Sequence, residues 1–498
     1  MFRNITYKVL MTLAVFVAMF SCSEDLGNYD YSEINEVTFE GVESEYFGLL
    51  GEPFEIIPNL KFSQDMSGDE SNYSYEWIAF QRGNVLPGDI KKDLAFTKNL
   101  QLEALQIPPA EYDVRYRVTD NSTGVQFSTS FRLHVQSTIY EGWMLLNDIN
   151  GVARLDMVSK INDTYVPIYD VLAYTGSSLS LEGAPKDVTC FDYDQQFYGI
   201  YVTTEGNGTT KLHPESFDWQ LDYNLSYEML GDVPTDFGAD LIERIGSQES
   251  LMYHDGDLYY YLRIFQYRYG VPINIVSGES TTFRASPFIG TGGFYGKNLL
   301  YDVDNKRFIQ HAWGGKECNV MSPGTLFDYN TGKDLLYMRR SIYNGGEVFA
   351  ILKDPADSKL YLARMSSSRG TITQTYYEEI PETIAVDMAQ ADYFAVSPDF
   401  GYIFYNVGGK VYEYDFSLKQ TKLMIDKGSA EITVLKFQDD SKSFGGDTRS
   451  ELVLASYDAA SNEGTMELYE VPPVNGDLNL QASYVGFGRI VSISYRDR

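Results

Sequence analysis

One short phrase recurs along most of this chain and limits its fold more than any other feature. It is an apolar strand, a turn of Asp, Asn or Gly, a second aromatic strand, then a loop. The clearest copy runs Ala395-Val396-Ser397-Pro398-Asp399, Gly401-Tyr402-Ile403-Phe404-Tyr405, a Gly408-Gly409 turn, then Lys410-Val411-Tyr412-Glu413-Tyr414-Asp415. Looser copies lie at Trp143-Met144-Leu145-Leu146, Phe197-Tyr198-Gly199-Ile200-Tyr201, Leu258-Tyr259-Tyr260-Tyr261-Leu262, Leu360-Tyr361-Leu362 and Leu452-Val453-Leu454-Ala455. Corresponding strands are about 40 to 60 residues apart, the length of a four-stranded unit with variable loops. Such a unit cannot bury its apolar faces alone and must stack on its neighbours, which predicts a β-propeller of about seven blades over residues 138–498. Pairing of the strand near Trp143 with Ile490-Val491-Ser492-Ile493-Ser494 would close the ring and leave no long exposed edge.

Residues 36–137 read differently. In Tyr112-Asp113-Val114-Arg115-Tyr116-Arg117-Val118 every second side chain is apolar, and Thr119-Asp120-Asn121-Ser122-Thr123-Gly124 breaks the run as a turn. Phe127, Phe131, Leu133 and Val135 then define a second strand, so the pair is a hairpin. Upstream, Tyr73-Ser74-Tyr75-Glu76-Trp77-Ile78-Ala79-Phe80 alternates in the same way and offers Trp77 to the middle of a core. With 40 Tyr, 29 Phe and 42 Gly, and no long helical pattern after the N-terminus, the whole chain is expected to be all-β.

The N-terminus carries an address. Arg3 and Lys8 precede an apolar run from Val9 to Phe20 that ends at Ser21-Cys22, too short to span a bilayer and shaped like a secretory signal over residues 1–21. The end of this run resembles a bacterial lipobox, which implies acylation of Cys22. Ser23-Glu24-Asp25 resembles the export tag of surface-facing lipoproteins in some Gram-negative bacteria, which implies an outer-membrane location facing the exterior. Residues 22–35 would be a polar tether.

Net charge is −31, from 70 acidic and 39 basic residues, so nucleic acid is an unsuitable partner. Of three cysteines, Cys190 and Cys318 remain in the mature body, where buried unpaired thiols are expected. The four histidines, His134, His213, His254 and His311, show no zinc-protease spacing, and no metal or cofactor motif is present. No Gly-x-Ser-x-Gly elbow or phosphate loop occurs. Acidic turns such as Asp302-Val303-Asp304-Asn305 read as turns, without a full calcium-loop signature.

Two regions stand out for binding. The first is the long stretch from Gln266 to Lys297, which carries Tyr267, Arg268, Tyr269, Phe283, Arg284, Phe288, Phe294 and Tyr295; the second is the nearby cluster of His311, Trp313, Lys316 and Glu317. Aromatic rings stack on sugar faces or peptide side chains, and arginines supply planar donors.

The segment around Tyr75-x-Trp77 and the strand Glu111-Tyr112-x-Val114-x-Tyr116-x-Val118-Thr119-Asp120 resemble a polycystic-kidney-disease (PKD)-type domain, a small immunoglobulin-like β-sandwich. The family's usual Gly-Asp-Gly is replaced here by Gln81-Arg82-Gly83. Leu26-Gly27-Asn28-Tyr29-Asp30-Tyr31, Gly345-Gly346-Glu347-Val348 and Leu352-Lys353-Asp354-Pro355 resemble phrases of PKD-like family lipoproteins. That resemblance implies a non-catalytic surface lipoprotein of a SusC/SusD-type nutrient uptake system. Its expected partners are a TonB-dependent transporter and a SusD-like lipoprotein, and its expected ligand is a glycan or, less readily, a peptide. The rival readings are a propeller glycosidase or polysaccharide lyase, and a structural adhesion protein.

Overall fold

The computed structural model describes residues 34–83, 90–161, 164–194, 197–246, 248–293, 296–368, 370–438 and 450–497. Cys22 and residues 23–33 of the expected tether lie outside the described residues. Among the described residues no helix is long and apolar enough to cross a membrane. The chain divides into two compact units. One holds the residues up to Gly48 with Glu52–Leu105 and Ala110–His134, and the other holds Leu49–Gly51, Gln106–Pro109 and Val135–Arg498.

The first unit is the expected sandwich. Its main sheet places Tyr73–Gln81 between Lys91–Ala95 and Ala110–Asp120, followed by Gln126–Gln136 and Glu45–Leu49. Two small sheets, Val37–Glu40 with Asn59–Phe62 and Phe54–Ile56 with Leu100–Leu102, supply the opposing layer. The alternation sets the core: Tyr112, Val114, Tyr116 and Val118 are all fully buried. Trp77 lies opposite Tyr116 in register, stacks on it at 3.8 Å between ring centroids, and donates its Nε1–H to Thr97 O at 2.9 Å.

The second unit is a seven-bladed β-propeller. Seven antiparallel sheets follow one another in the chain. In blade 1, Arg489–Arg496 forms the inner strand, followed outward by Gly142–Ile149, Val152–Ile161 and Thr164–Ile168. Blade 2 is Pro185–Asp194, Phe197–Thr204 and Gly208–Lys211, and blade 3 is Leu241–Gly246, Glu249–His254 and Asp257–Leu262. Blade 4 is Asn298–Asp302, Arg307–His311 and Cys318–Val320, with an inner edge joined through a Gly290–Leu299 bridge. Blade 5 begins with Asp334–Ser341, blade 6 with Phe394–Val396 and blade 7 with Glu431–Phe437, each followed by three further strands.

Ring closure works as the sequence predicts. Trp143 pairs with Tyr495 and Gly142 with Arg496 across the first and last parts of the unit. Arg496, fully buried, donates from both terminal nitrogens to Ile139 O and Pro214 O and lies over the Phe217 ring. Cys190 and Cys318 are buried free thiols in blades 2 and 4. The acidic turn at Asp302 is structural: its carboxylate accepts from Asn305 N, Asn305 Nδ2 and Arg307 Nε.

Candidate functional site

The inner strands surround a central cavity of roughly 710 Å³. Its wall includes Glu243 and Arg244 of blade 3, Arg339 and Arg340 of blade 5, Lys436 of blade 7 and Ser492 of blade 1. Ser492 donates to Asp187 of blade 2 at 2.6 Å, and burial raises the Asp187 carboxyl above its ordinary range. Arg244 pairs with Asp192 at 3.3 Å, and Lys436 donates to Ile493 O at 2.9 Å. Each of these three contacts joins neighbouring blades.

A different surface gathers part of the binding residues expected from the sequence. In an antiparallel four-strand meander, the turn from third to fourth strand comes at the same end in every blade. In blade 3 that turn carries Ile264, Phe265 and Gln266, after which Tyr267 pairs back on Leu262. In blade 4 the corresponding segment carries Trp313 and Lys316. The two meet. Phe265 lies 5.9 Å from Tyr267 and 6.0 Å from Trp313 between ring centroids, and Lys316 Nζ sits 5.2 Å from the centre of the Tyr267 ring. Phe265 is 55% exposed, and Tyr267 and Trp313 are each 41% exposed. Three rings held open to solvent and capped by a cation make a platform on which flat, partly apolar ligands can stack.

Buried groups beneath hold the Trp313 segment in place. Tyr260 Oη donates to Glu249 Oε2 at 2.8 Å and accepts from Gly314 N–H at 3.0 Å. Burial raises the Glu249 carboxyl to about 7. His311 is fully buried, and burial lowers it to about 4. Its Nε2 lies 2.9 Å from Gly315 O, which can only accept, so the neutral ring carries its proton on Nε2. Its ring also meets Tyr260 edge-on at 4.9 Å.

The structure therefore separates the residues singled out in the sequence. Tyr267 and Trp313 come together, and Arg268 follows Tyr267 directly, donating to Tyr227 O at 3.1 Å. Tyr269 is fully buried, bonded to Ser250 Oγ at 2.6 Å, so it packs blade 3 and offers no surface. His311 likewise is a positioning residue without a free face. Arg284 stands at the opposite end of the blades, beside the Asp255-Gly256 turn and 3.5 Å from Asp304. Phe294 and Tyr295 lie outside the described residues. Phe265 was missed because a lone aromatic in a turn carries no periodic signal. Among the described residues no cluster of His, Cys, Asp or Glu is arranged to hold a metal ion.

Residues 22–185 match the PKD-like family, a match that takes in the sandwich and ends at the first residue of blade 2. No curated protein matches the chain. Among solved structures it is similar to a quinonprotein alcohol dehydrogenase-like protein from Bacteroides thetaiotaomicron, with TM-score 0.39 and 12% identity over 89% of this chain and 96% of that one. It is similar also to a DUF4784 family protein from Bacteroides caccae, with TM-score 0.31 and 8% identity over 93% and 98% of the two chains. A third likeness is to the WD40 domain of SCAP from fission yeast, with TM-score 0.29 and 7% identity over 63% and 74%.

Proposed function

We propose that this protein is a lipid-anchored, non-catalytic binding protein of the outer cell surface, serving as an accessory subunit of a nutrient import system. Cys22 would carry the anchor, the sandwich would act as a spacer, and the propeller would present the ligand site. The observation that carries this reading is the open platform of Phe265, Tyr267 and Trp313. Rings exposed in this way suit the flat, apolar faces of pyranose rings, which makes a glycan the favoured ligand over a peptide. The partners that fit the role are a TonB-dependent transporter and a SusD-like lipoprotein.

Affinity electrophoresis through gels containing soluble polysaccharides tests the ligand class. At least one polysaccharide should retard the protein, and Trp313→Ala should abolish that retardation without moving the melting temperature. A panel in which none retards the protein would refute the glycan reading. Purification of the tagged protein from detergent-solubilised outer membranes tests the partners. Recovery with a transporter in equal amount supports the accessory role, and recovery alone argues against it.

A further inference from the structure

The platform sits in an unusual electrostatic setting for this chain. Acidic residues outnumber basic ones by 70 to 39, and most exposed cations accordingly find a carboxylate. Lys316 and Arg268 do not: among the described residues neither has an acidic partner within ion-pair distance. Lys316 is instead held over the Tyr267 ring, and the one hydrogen bond of Arg268 goes to a main-chain carbonyl, Tyr227 O. Acids are near, since Glu317 follows Lys316 and Glu228 follows Tyr227, but neither pairs with these cations. From Arg263 through Gly278 there is no Asp or Glu. One cation without an ion pair, Lys316, therefore stands over an exposed ring of the platform, and a second, Arg268, follows Tyr267 in the chain.

Resting on the glycan reading above, we propose that the ligand is a uronic-acid polysaccharide. Its pyranose rings would stack on Trp313, Tyr267 and Phe265, and its carboxylates would meet Lys316 and Arg268. An ammonium already placed over an aromatic ring and a guanidinium with free N–H groups both suit carboxylate oxygens. The overall negative charge of the protein does not forbid this. At physiological ionic strength exposed charges farther away than about 8 Å are largely screened, so the groups at the platform itself govern.

The test compares polygalacturonate with its fully methyl-esterified form, which keeps the sugar backbone and removes the charge. The intact protein is titrated with each, with dextran sulfate as a polyanion control and a panel of neutral polysaccharides alongside. Polygalacturonate should bind at least ten-fold more tightly than the ester. Lys316→Gln and Arg268→Gln should each narrow that ratio while retaining the ester's weak affinity, and Trp313→Ala should weaken both forms. Equal binding of the two forms, unchanged in Lys316→Gln, would overturn the acidic-ligand inference and leave the glycan reading standing. Binding of neutral polysaccharides alone would do the same. Binding of none of these would overturn both. Dextran sulfate binding as tightly as polygalacturonate, indifferent to Trp313→Ala, would show simple polyanion attraction and also overturn it.

Discussion

Glu413 offers the sharpest check on the packing between blades. It lies in Lys410–Asp415, opposite Phe404 and Lys422 in register, on the same face as Val411, which packs between blades 6 and 7. The side chain is only 1% exposed, and neither carboxylate oxygen has a hydrogen-bond partner among the described residues. Burial raises its titration to about 7, from 4.5 in the unfolded chain. The folded state therefore holds a proton that the unfolded state gives up between these values, so stability falls as pH rises from 4.5 towards 7 and is flat beyond. A shift of this size corresponds to about 3 kcal/mol. Glu413→Gln keeps the shape and removes the titration. Relative to wild type, the variant should be nearly neutral at pH 5 and more stable by about 3 kcal/mol at pH 8, a difference of several degrees in melting temperature. Measuring both proteins by thermal unfolding at each pH cancels every other titrating group. A melting difference that does not change between pH 5 and pH 8 would refute the argument, because it would mean the carboxyl ionises alike in both states.

Two further outcomes follow from the groups beneath the platform. His311, lowered by burial from 6.5 to about 4, should lose the protein stability in the opposite direction, as pH falls through that window; the loss approaches about 3 kcal/mol and should be absent from the unfolding profile of His311→Gln. Tyr260→Phe removes the donor to Glu249 and the acceptor for Gly314 N–H, which should destabilise the protein by about 1–3 kcal/mol in thermal unfolding and reduce glycan retardation in the gel assay although no platform side chain is altered.

Much of the architecture was legible in the residues because its signals are periodic. The hairpin at Ala110–Asp120 and Gln126–Gln136 shows strict alternation, and Trp143 with the final apolar strand marks the ring closure that their pairing makes. The inner edge of blade 4 was not legible. Pro287 to Gly293 is short and rich in glycine, is tied to its sheet by a single bridge, and so reads as part of a long loop. The site was legible only in outline. In a chain with 40 Tyr, an aromatic in a loop can face the core as readily as solvent. Tyr267 and Tyr269 differ by two residues, yet one is open and the other is sealed by Ser250. What separates them is the neighbouring blade, which no local pattern encodes.

His311 illustrates how a residue can belong to a site without touching a ligand. Its sequence neighbourhood suggested a binding group, but it faces inward and spends its Nε2 proton on Gly315 O. Together with Tyr260, which takes Gly314 N–H, it fixes consecutive residues of the segment that presents Trp313. A tryptophan on an untethered loop would lose conformational freedom on binding, at a cost of order 0.5–1.5 kcal/mol for its side chain alone. Fixing the segment in advance places that cost in folding, where the buried network of Glu249, Tyr260 and His311 offsets it. Blade 3 has no regular outer strand in its sheet, so the chain after Leu262 is free to turn outward. The same local departure from the repeat that hid the site from periodic reading is thus what makes room for it.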